Sequence, residues 1–192
     1  MPAPRFRVAL ASLLFVATAA AGERIELDAE RSHAGFRVKL VWLVGIRGDF
    51  PGVQGTVDID RFHNEAVVDA HIDARSVHMR VAGYAEWVRS PEFFDAGAHP
   101  DIHFVSQPFP LRRLQRGGEL PGSLTLRGVT GPVRFTLEAA ACARPGRDCP
   151  IVAHASLRRS AFGMRSRAGL LGDRVDLDLR VFAASDVDMQ PP

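Results

Sequence analysis

From Arg24 onward, apolar side chains recur at every second position, with polar side chains between them. An extended strand points successive side chains to opposite faces, so each such segment has one buried and one solvated face. Gly-, Pro- and Asp-rich stretches separate most of the segments, which predicts short antiparallel strands arranged as a sandwich or a barrel. The main alternating apolar positions are Phe36, Val38, Leu40 and Trp42; Val53, Val57 and Ile59; Val68, Ala70 and Ile72; Ile102 and Phe104; Leu124 and Leu126; Val133, Phe135 and Leu137; Ile151, Ala153, Ala155 and Leu157; and Val175, Leu177, Leu179 and Val181.

One stretch, residues 81–90, breaks this alternation and predicts a short helix. Pro91 ends it, because proline disfavours the helical conformation of the residue before it. Phe93 and Phe94 follow, and two adjacent aromatic side chains do not easily share one core face. Either one of them lines the mouth of an internal cavity, or one packs under the helix and the other against a loop. The residues at helical spacing are Val81, Tyr84, Trp87 and Val88.

The first 21 residues have the order of a secretory signal peptide. Arg5 and Arg7 precede a mostly apolar run, and small residues follow it up to Ala21. The run is shorter than the roughly 20 residues that span a bilayer, which favours a cleaved signal over a membrane anchor. We therefore expect residues 1–21 to be removed on export, residues 22–187 to form one domain, and residues 188–192 to be a disordered tail.

The charge balance argues against a nucleic-acid partner. The chain of 192 residues has 24 Lys+Arg against 22 Asp+Glu, and residues 1–21 hold two of the arginines and no acid. The mature chain therefore has a formal charge of zero and lacks the basic excess that releases phosphate counterions. Arg112, Arg113 and Arg116 form a small cluster just before Gly117, which predicts a solvated hairpin tip.

The two cysteines predict a disulfide. Cys142 and Cys149 bracket Pro145 and Gly146, which force a turn that can bring the sulfur atoms together. A zinc site would need two further ligands, and the chain has no second cysteine pair. Closing this short loop would stabilise the fold by about 2.5 kcal/mol in the chain-entropy model. Its role is then structural.

Motifs for metal binding or catalysis are sparse. His99 and His103 are four residues apart, but Pro100 and the strand-like alternation downstream exclude the helical zinc motif. His71 lies on the polar face of its strand. Nucleophile-elbow, phosphate-loop and dinucleotide motifs are missing. We predict no metal site and no catalytic residues, although a triad built from distant residues stays open.

Six strings, spread in order over residues 25–183, resemble the YceI-like family of periplasmic lipid-binding proteins. Each string alone is weak, whereas six in order form a specific signature. This chain departs from the family pattern at two places. It has Ser32-His33 where family members often carry His–Ser, and Leu40 where they often carry a histidine. The strings are SHAGFRV (32–38), RGDF (47–50), WVRSPEFFD (87–95), HPDIHFVS (99–106), GSLTLRGVT (122–130) and RSAFGM (159–164).

The resemblance implies an all-β fold, an extended antiparallel eight-stranded lipocalin-like barrel with one short helix. It also implies a periplasmic location and an apolar tunnel for a linear polyisoprenoid, such as a quinone tail or a polyprenyl phosphate. That lipid would be the ligand, with no other cofactor and no membrane-spanning segment, and a homodimer stays open. His33 and Arg158 are the candidate head-group residues. The candidate tunnel-lining residues are Phe36, Val38, Leu40, Trp42, Phe50, Trp87, Phe93, Phe94, Phe104, Leu124, Phe135 and Phe162.

Three alternatives compete with a lipid carrier. The inward aromatic residues can simply fill the core, as apolar residues usually do. A secreted hydrolase or isomerase could act in the same cavity, with His33 or His103 buried there and its pKa perturbed. An envelope stress-response accessory protein would instead act through an exposed apolar patch over a filled interior.

Overall fold

A computed structural model describes residues 22–40, 45–81 and 83–184. The expected signal segment, the C-terminal tail and Trp42 lie outside these residues. The helices are α1 (Tyr84–Arg89) and α2 (Arg113–Arg116), with 3-10 turns at Ala74–Ser76 and Arg159–Phe162. The strands are β1 (Glu23–Glu26), β2 (His33–Leu40), β3 (Gly45–Pro51), β4 (Gln54–Asp60), β5 (Glu65–Asp73), β6 (His78–Met79), β7 (Asp101–Ser106), β8 (Phe109–Pro110), β9 (Gly118–Leu126), β10 (Val129–Leu137), β11 (Ile151–Arg158) and β12 (Leu171–Val181).

All the described strands belong to one antiparallel sheet that returns to its starting point. Its order is β1-β4-β5-β7-β9-β10-β11-β12-β2-β3-β6, with β8 beside β5. Strand β4 continues the line of β3 after a short break. Because β2 pairs with β3 and β1 pairs with β4, β1 and β2 are likewise two parts of one interrupted strand. The last strand, β12, pairs with β2 and reaches the end of β1 through a bridge between Leu27 and Ala183. The ring is therefore a barrel.

The all-β barrel prediction is confirmed, with a difference in the number of strands. Twelve strands appear among the described residues because two long strands are interrupted, and because β6 and β8 are two-residue additions. Counted as continuous strands, the ring has the expected eight.

Ser32 holds the corner where β1 turns into β2. Its carbonyl accepts hydrogen bonds from the N–H groups of Gly52 and Val53 at 3.1 and 3.2 Å. Its hydroxyl accepts the N–H of Phe182 at 2.9 Å, so this buried serine joins three segments of the barrel. Buried polar groups normally require such partners.

Two short helices lie outside the alternating pattern. The first, α1, falls within the predicted stretch 81–90 and ends at Arg89, with Ser90 as its C-cap directly before Pro91. The second, α2, corrects the predicted hairpin tip: Arg116 N–H bonds the carbonyl of Arg112 at 2.9 Å, which makes a helical turn between β8 and β9. Gly117 ends that turn with a φ of 73°, a conformation that glycine adopts without steric cost. Among the described residues, no helix is long and apolar enough to cross a membrane.

The predicted disulfide is confirmed. Cys142 and Cys149 are bonded, with their Cα atoms 6.1 Å apart. The loop between them turns through Gly146, whose N–H bonds the carbonyl of Cys149 at 2.8 Å. The carbonyl of Gly146 accepts the N–H of Ala183, also at 2.8 Å, so the disulfide loop is tied to the end of the last strand.

Candidate functional site

Two apolar cavities lie end to end inside the barrel. Each has a volume of about 130 to 140 Å³. Residues of β12 between Leu171 and Leu179 line the first cavity, and Leu179 and Val181 line the second. The two cavities therefore follow one another along this strand. We call the two cavities together the tunnel. The residues that line both are Val53, Ala70, Phe104, Phe135 and Leu179.

Aromatic rings form much of the wall of the first cavity. Phe36, Phe50 and Phe94 make a cluster with ring centroids 5.4 to 5.7 Å apart. At the junction of the cavities, Phe104 and Phe135 meet edge to face at 5.1 Å. Tilted and edge-to-face contacts are favourable arrangements for aromatic pairs. The rings thus narrow the tunnel at its middle without filling it.

A glycine on the neighbouring strand makes room for one of these rings. Gly48 lies directly opposite Phe36 in the β2–β3 pairing. A Cβ atom at Gly48 would lie 2.5 Å from the Phe36 ring and from the sulfur of Met79. The glycine in the string RGDF therefore has a packing function at the tunnel wall.

Helix α1 and the turn after it cover one end of the tunnel. Phe93 and Phe94 are both buried and both line the first cavity, together with Val88 of the helix. The expectation that adjacent aromatics cannot share a face does not hold here, because they lie in a tight turn and not in a strand. The N–H of Phe94 bonds back to the carbonyl of Val88 at 3.0 Å, which turns both rings inward.

Trp87 connects this cover to a polar rim. Its indole N–H donates to Glu92 at 2.6 Å, and its ring meets Phe93 edge to face at 4.4 Å. The guanidinium of Arg167 lies over the Trp87 ring at 5.0 Å and 3.8 Å from Glu92. This end of the barrel is thus covered by a helix, a turn and an ion pair, and the disulfide lies elsewhere.

Among the described residues that line the tunnel, Arg159 is the only charged one, and the sequence did not predict it there. It is 4% exposed, and its guanidinium donates to the carbonyls of Met164 and Leu171 at 2.7 and 3.2 Å. It also donates to the carbonyls of Ser166 and Gly172. The alternation of β11, with Leu157 inward, could have indicated that Arg159 also points inward. Four of its five N–H groups are thus bonded to backbone carbonyls, which fixes the chain that enters β12.

A basic groove lies outside the covered end of the tunnel. It has a volume of about 900 Å³ and shares Ile46 and Leu171 with the first cavity. None of its described lining residues is acidic. The exposed apolar residues Val81, Tyr84 and Leu170 lie beside its cations. The basic groove is defined by Arg37, Lys39, Arg47 and Arg80.

The opposite end of the tunnel is covered by the disulfide loop. Pro145 and Gly146 line the second cavity beside Phe182 and Ala183. Because that loop is closed by the disulfide and bonded to the end of β12, this cover is covalently restrained.

Most of the predicted lining residues face the tunnel. Leu40 lines the basic groove, Phe162 is buried in the core without lining either cavity, and Trp42 lies outside the described residues. The predicted residues that line the first cavity are Phe36, Val38, Phe50, Trp87, Phe93, Phe94, Phe104, Leu124 and Phe135.

The two candidate head-group residues are not brought together. His33 and Arg158 are both exposed. His33 lies opposite Arg180 on β12, whereas Arg158 lies opposite Arg174. Six residues of strand separate these two positions, which is about 20 Å. Neither residue lines the tunnel or the basic groove.

The tunnel wall offers little to a catalytic mechanism. No histidine, acid, serine, threonine or cysteine of the described chain lines either cavity. His33 is exposed, and His103 lies on the outer face of β7, bonded to Asp69 at 2.8 Å. The alternative of a catalytic histidine in the cavity therefore finds no support in this arrangement.

The chain matches a known domain family and is similar to several known proteins. The model of the YceI-like domain matches residues 26–183. The chain is 35% identical over 135 residues to "Protein YceI" of Salmonella arizonae, an alignment that covers 68% of each chain. Its fold is similar to that of Burkholderia cenocepacia BcnA, with a TM-score of 0.65 at 19% identity, covering 83% of this chain and 99% of BcnA. A polyisoprenoid binding domain from Saccharophagus degradans, implicated in plant cell wall breakdown, gives a TM-score of 0.61 at 16% identity, covering 83% of this chain and 97% of that one.

Proposed function

The chain belongs to the YceI-like family, and we propose that it is a non-catalytic periplasmic carrier that holds a linear polyisoprenoid in the tunnel. The observation that carries the proposal is the tunnel wall, in which Arg159 is the only side chain that is not apolar among the described lining residues. Each CH₂ group transferred from water into such a wall stabilises the complex by about 0.8 kcal/mol. A ligand of several isoprene units then needs few polar contacts.

The shape of the tunnel favours an extended chain over a compact solute. Its lining residues on β12 run from Leu171 to Val181, a strand length of about 33 Å. The Phe104–Phe135 pair narrows the middle, so a bound chain displaces these two rings and connects the cavities. Ring movements of this kind need no change in the barrel wall.

The basic groove accommodates the ligand's head group. Arg37 lies directly opposite Arg47 in the β2–β3 pairing. On its other side Arg37 lies opposite Asp176, which is paired with Arg174 at 2.8 Å. Like charges directly opposite one another destabilise a sheet, and an anionic head group would relieve that repulsion. A polyprenyl phosphate therefore fits this end better than a neutral quinone. This assignment replaces His33 and Arg158, which lie away from the groove.

Two further observations support the carrier role. The disulfide between Cys142 and Cys149 is of the kind that persists in oxidising compartments such as the periplasm. The structurally similar domain of Saccharophagus degradans is a polyisoprenoid binding domain, and it has the same fold at low identity.

The test is lipid extraction from purified protein, with one variant that blocks the tunnel. Ala70 lines both cavities, so Ala70→Phe fills their junction. Val67 lies on the same strand with its side chain on the opposite face, and Val67→Phe is the matched control. The protein is expressed with its signal segment so that it is exported, and the mature protein is then purified. It is extracted with organic solvent, and the extract is analysed by mass spectrometry.

We expect an isoprenoid lipid from the wild type and from Val67→Phe, and little or none from Ala70→Phe. Overpacking costs about 1 to 3 kcal/mol, so circular dichroism must show that Ala70→Phe is folded. The proposal is wrong if the wild type yields no lipid and also fails to bind an added polyprenyl phosphate.

A further inference from the structure

A cluster of histidine and carboxylate side chains lies on the outer wall of the barrel, away from the tunnel. Asp69 and His71 lie on the outer face of β5, because residues two apart on a strand share a face. His103 lies on β7 directly opposite His71. One ligand atom from each of these three side chains falls within 4.8 Å of the other two.

The distances within this cluster suit a cation shared by its nitrogen and oxygen atoms. Nδ1 of His71 lies 3.0 Å from a carboxylate oxygen of Asp101, and its Nε2 lies 3.1 Å from Oδ1 of Asp69. Nε2 of His103 lies 2.8 Å from that same oxygen. A neutral imidazole has one N–H and one bare nitrogen, so it cannot donate to a carboxylate from both sides. A neutral His71 that donates from Nδ1 to Asp101 turns a bare Nε2 toward Asp69, and a metal ion can bridge those two atoms.

The two rings lie close enough for one metal ion to reach both after a rotation of one ring. The rings of His71 and His103 are stacked, with centroids 4.1 Å apart and planes 7° from parallel. A metal ion binds an imidazole in the plane of the ring, so parallel rings do not converge on one ion. Rotation of the His103 ring about its Cβ–Cγ bond, with His71 held by Asp101, would turn both Nε2 atoms toward a single divalent ion beside Asp69.

We propose that His71, His103 and Asp69 bind a divalent transition-metal ion of the Zn²⁺ type. The ligands would be Nε2 of each histidine and a carboxylate oxygen of Asp69. Ligand atoms of a tetrahedral zinc site lie about 3.3 Å apart, close to the nitrogen–oxygen distances in this cluster. Imidazole nitrogens select Zn²⁺, Cu²⁺ or Ni²⁺ over Mg²⁺ and Ca²⁺. The partly exposed position leaves the fourth coordination site to water.

Asp101 positions one of the ligands. Its carboxylate accepts the Nδ1 proton of His71, which leaves Nε2 as the metal-binding nitrogen. This carboxylate–histidine–metal arrangement is the usual outer-shell pattern of protein zinc sites. We therefore expect Asp101→Asn to weaken metal binding by about tenfold without abolishing it.

The chain provides its own control. His154 lies 2.6 Å from Glu138 on the outer wall, and this pair has one histidine and one carboxylate with no second imidazole. A simple surface ion pair should not hold zinc. His154→Gln is thus matched to His71→Gln and His103→Gln in chemistry and exposure, but it lies outside the cluster.

The experiment is isothermal titration of ZnCl₂ into untagged, EDTA-treated mature protein. We expect one saturable site per chain, lost in His71→Gln and in His103→Gln and retained in His154→Gln. Circular dichroism melting confirms that each variant is folded. Retention of the site in Ala70→Phe would show that it is independent of the tunnel. The proposal is overturned if the wild type binds zinc no more tightly than the His71→Gln/His103→Gln double variant, or if His154→Gln loses the site as well.

Discussion

The two ends of the tunnel are covered in different ways. At one end, helix α1 and the Phe93–Phe94 turn cover the first cavity through side-chain contacts, beside the basic groove. At the other end, the cover is a loop closed by the Cys142–Cys149 disulfide and hydrogen-bonded to Ala183. A cover held by packing can open locally at lower cost than one held by a covalent bond. For the isoprenoid ligand that we propose, this difference predicts entry at the helix end, with the tail reaching the disulfide end.

The largest expected effect concerns the buried arginine at the helix end. Arg159→Met removes hydrogen bonds to four backbone carbonyls and leaves them without a donor. We expect the free energy of unfolding to fall by about 3 kcal/mol or more. Urea denaturation measures it. The neighbouring Arg158 is exposed, so Arg158→Met should change stability by no more than about 0.5 kcal/mol. Equal losses in the two variants would contradict the assigned role of Arg159.

The next largest effect concerns the disulfide end. Replacing both Cys142 and Cys149 by serine should lower the free energy of unfolding by about 2.5 kcal/mol, because the unfolded chain loses a loop constraint. Urea denaturation with and without reductant measures this. Reductant should destabilise the wild type and leave the serine variant unchanged.

The same variant tests which end admits the ligand. If entry is at the helix end, removing the disulfide should change the release rate of a bound isoprenoid less than Phe93→Ala does, since Phe93 belongs to the helix-end cover. The rate is measured by transfer of a fluorescent isoprenoid to acceptor vesicles. A larger acceleration from loss of the disulfide would place the entrance at the other end.

A smaller effect is expected in the basic groove. The double variant Arg37→Gln/Arg47→Gln should weaken binding of a polyprenyl phosphate by about tenfold, as exposed charges contribute up to about 1 kcal/mol each. Binding of an uncharged isoprenoid should not change. Titration at low and high salt measures the difference, because salt screens exposed charges. Arg134→Gln, on the outer wall beside Glu119, is the control. Equal losses for charged and uncharged ligands would argue against head-group recognition here.

The smallest effect concerns Asp173, near the helix end. Hydrogen bonds from the hydroxyl and the N–H of Ser160 hold the pKa of the Asp173 carboxyl below its usual value. A carboxyl with a lowered folded-state pKa contributes stability above its unfolded pKa and loses it as pH falls through the folded value. Ser160→Ala should raise this pKa toward its ordinary value, as followed by carboxyl NMR titration. An unchanged pKa would contradict the assigned cause.

Much of the barrel could be predicted from the sequence, because alternation determines which side chains share a face. It located Phe36, Phe104 and Phe135 on the inner wall. Alternation does not show which residues of two neighbouring strands lie opposite each other. The contact between His71 and His103 depends on that register. The sequence therefore left His71 as a surface residue.

Three further features could not be predicted from alternation, because they result from turns or from contacts between residues that are distant in the sequence. The partners of Arg159 are backbone carbonyls five to thirteen residues along the chain, which no side-chain pattern encodes. The paired burial of Phe93 and Phe94 results from a tight turn, where strand alternation does not apply. The basic groove depends on strand register, which brings Arg37 and Arg47 opposite each other and which alternation alone does not give.

The central claim is that the tunnel holds a linear isoprenoid. The most direct measurement is a crystal structure of the mature protein, expressed with its signal segment and purified without added lipid. We expect continuous, elongated electron density that passes between Phe104 and Phe135, through both cavities, with any anionic head group beside Arg37 and Arg47. A barrel without such density, in which the Phe104 and Phe135 rings close the junction and aromatic side chains fill both cavities, would contradict it.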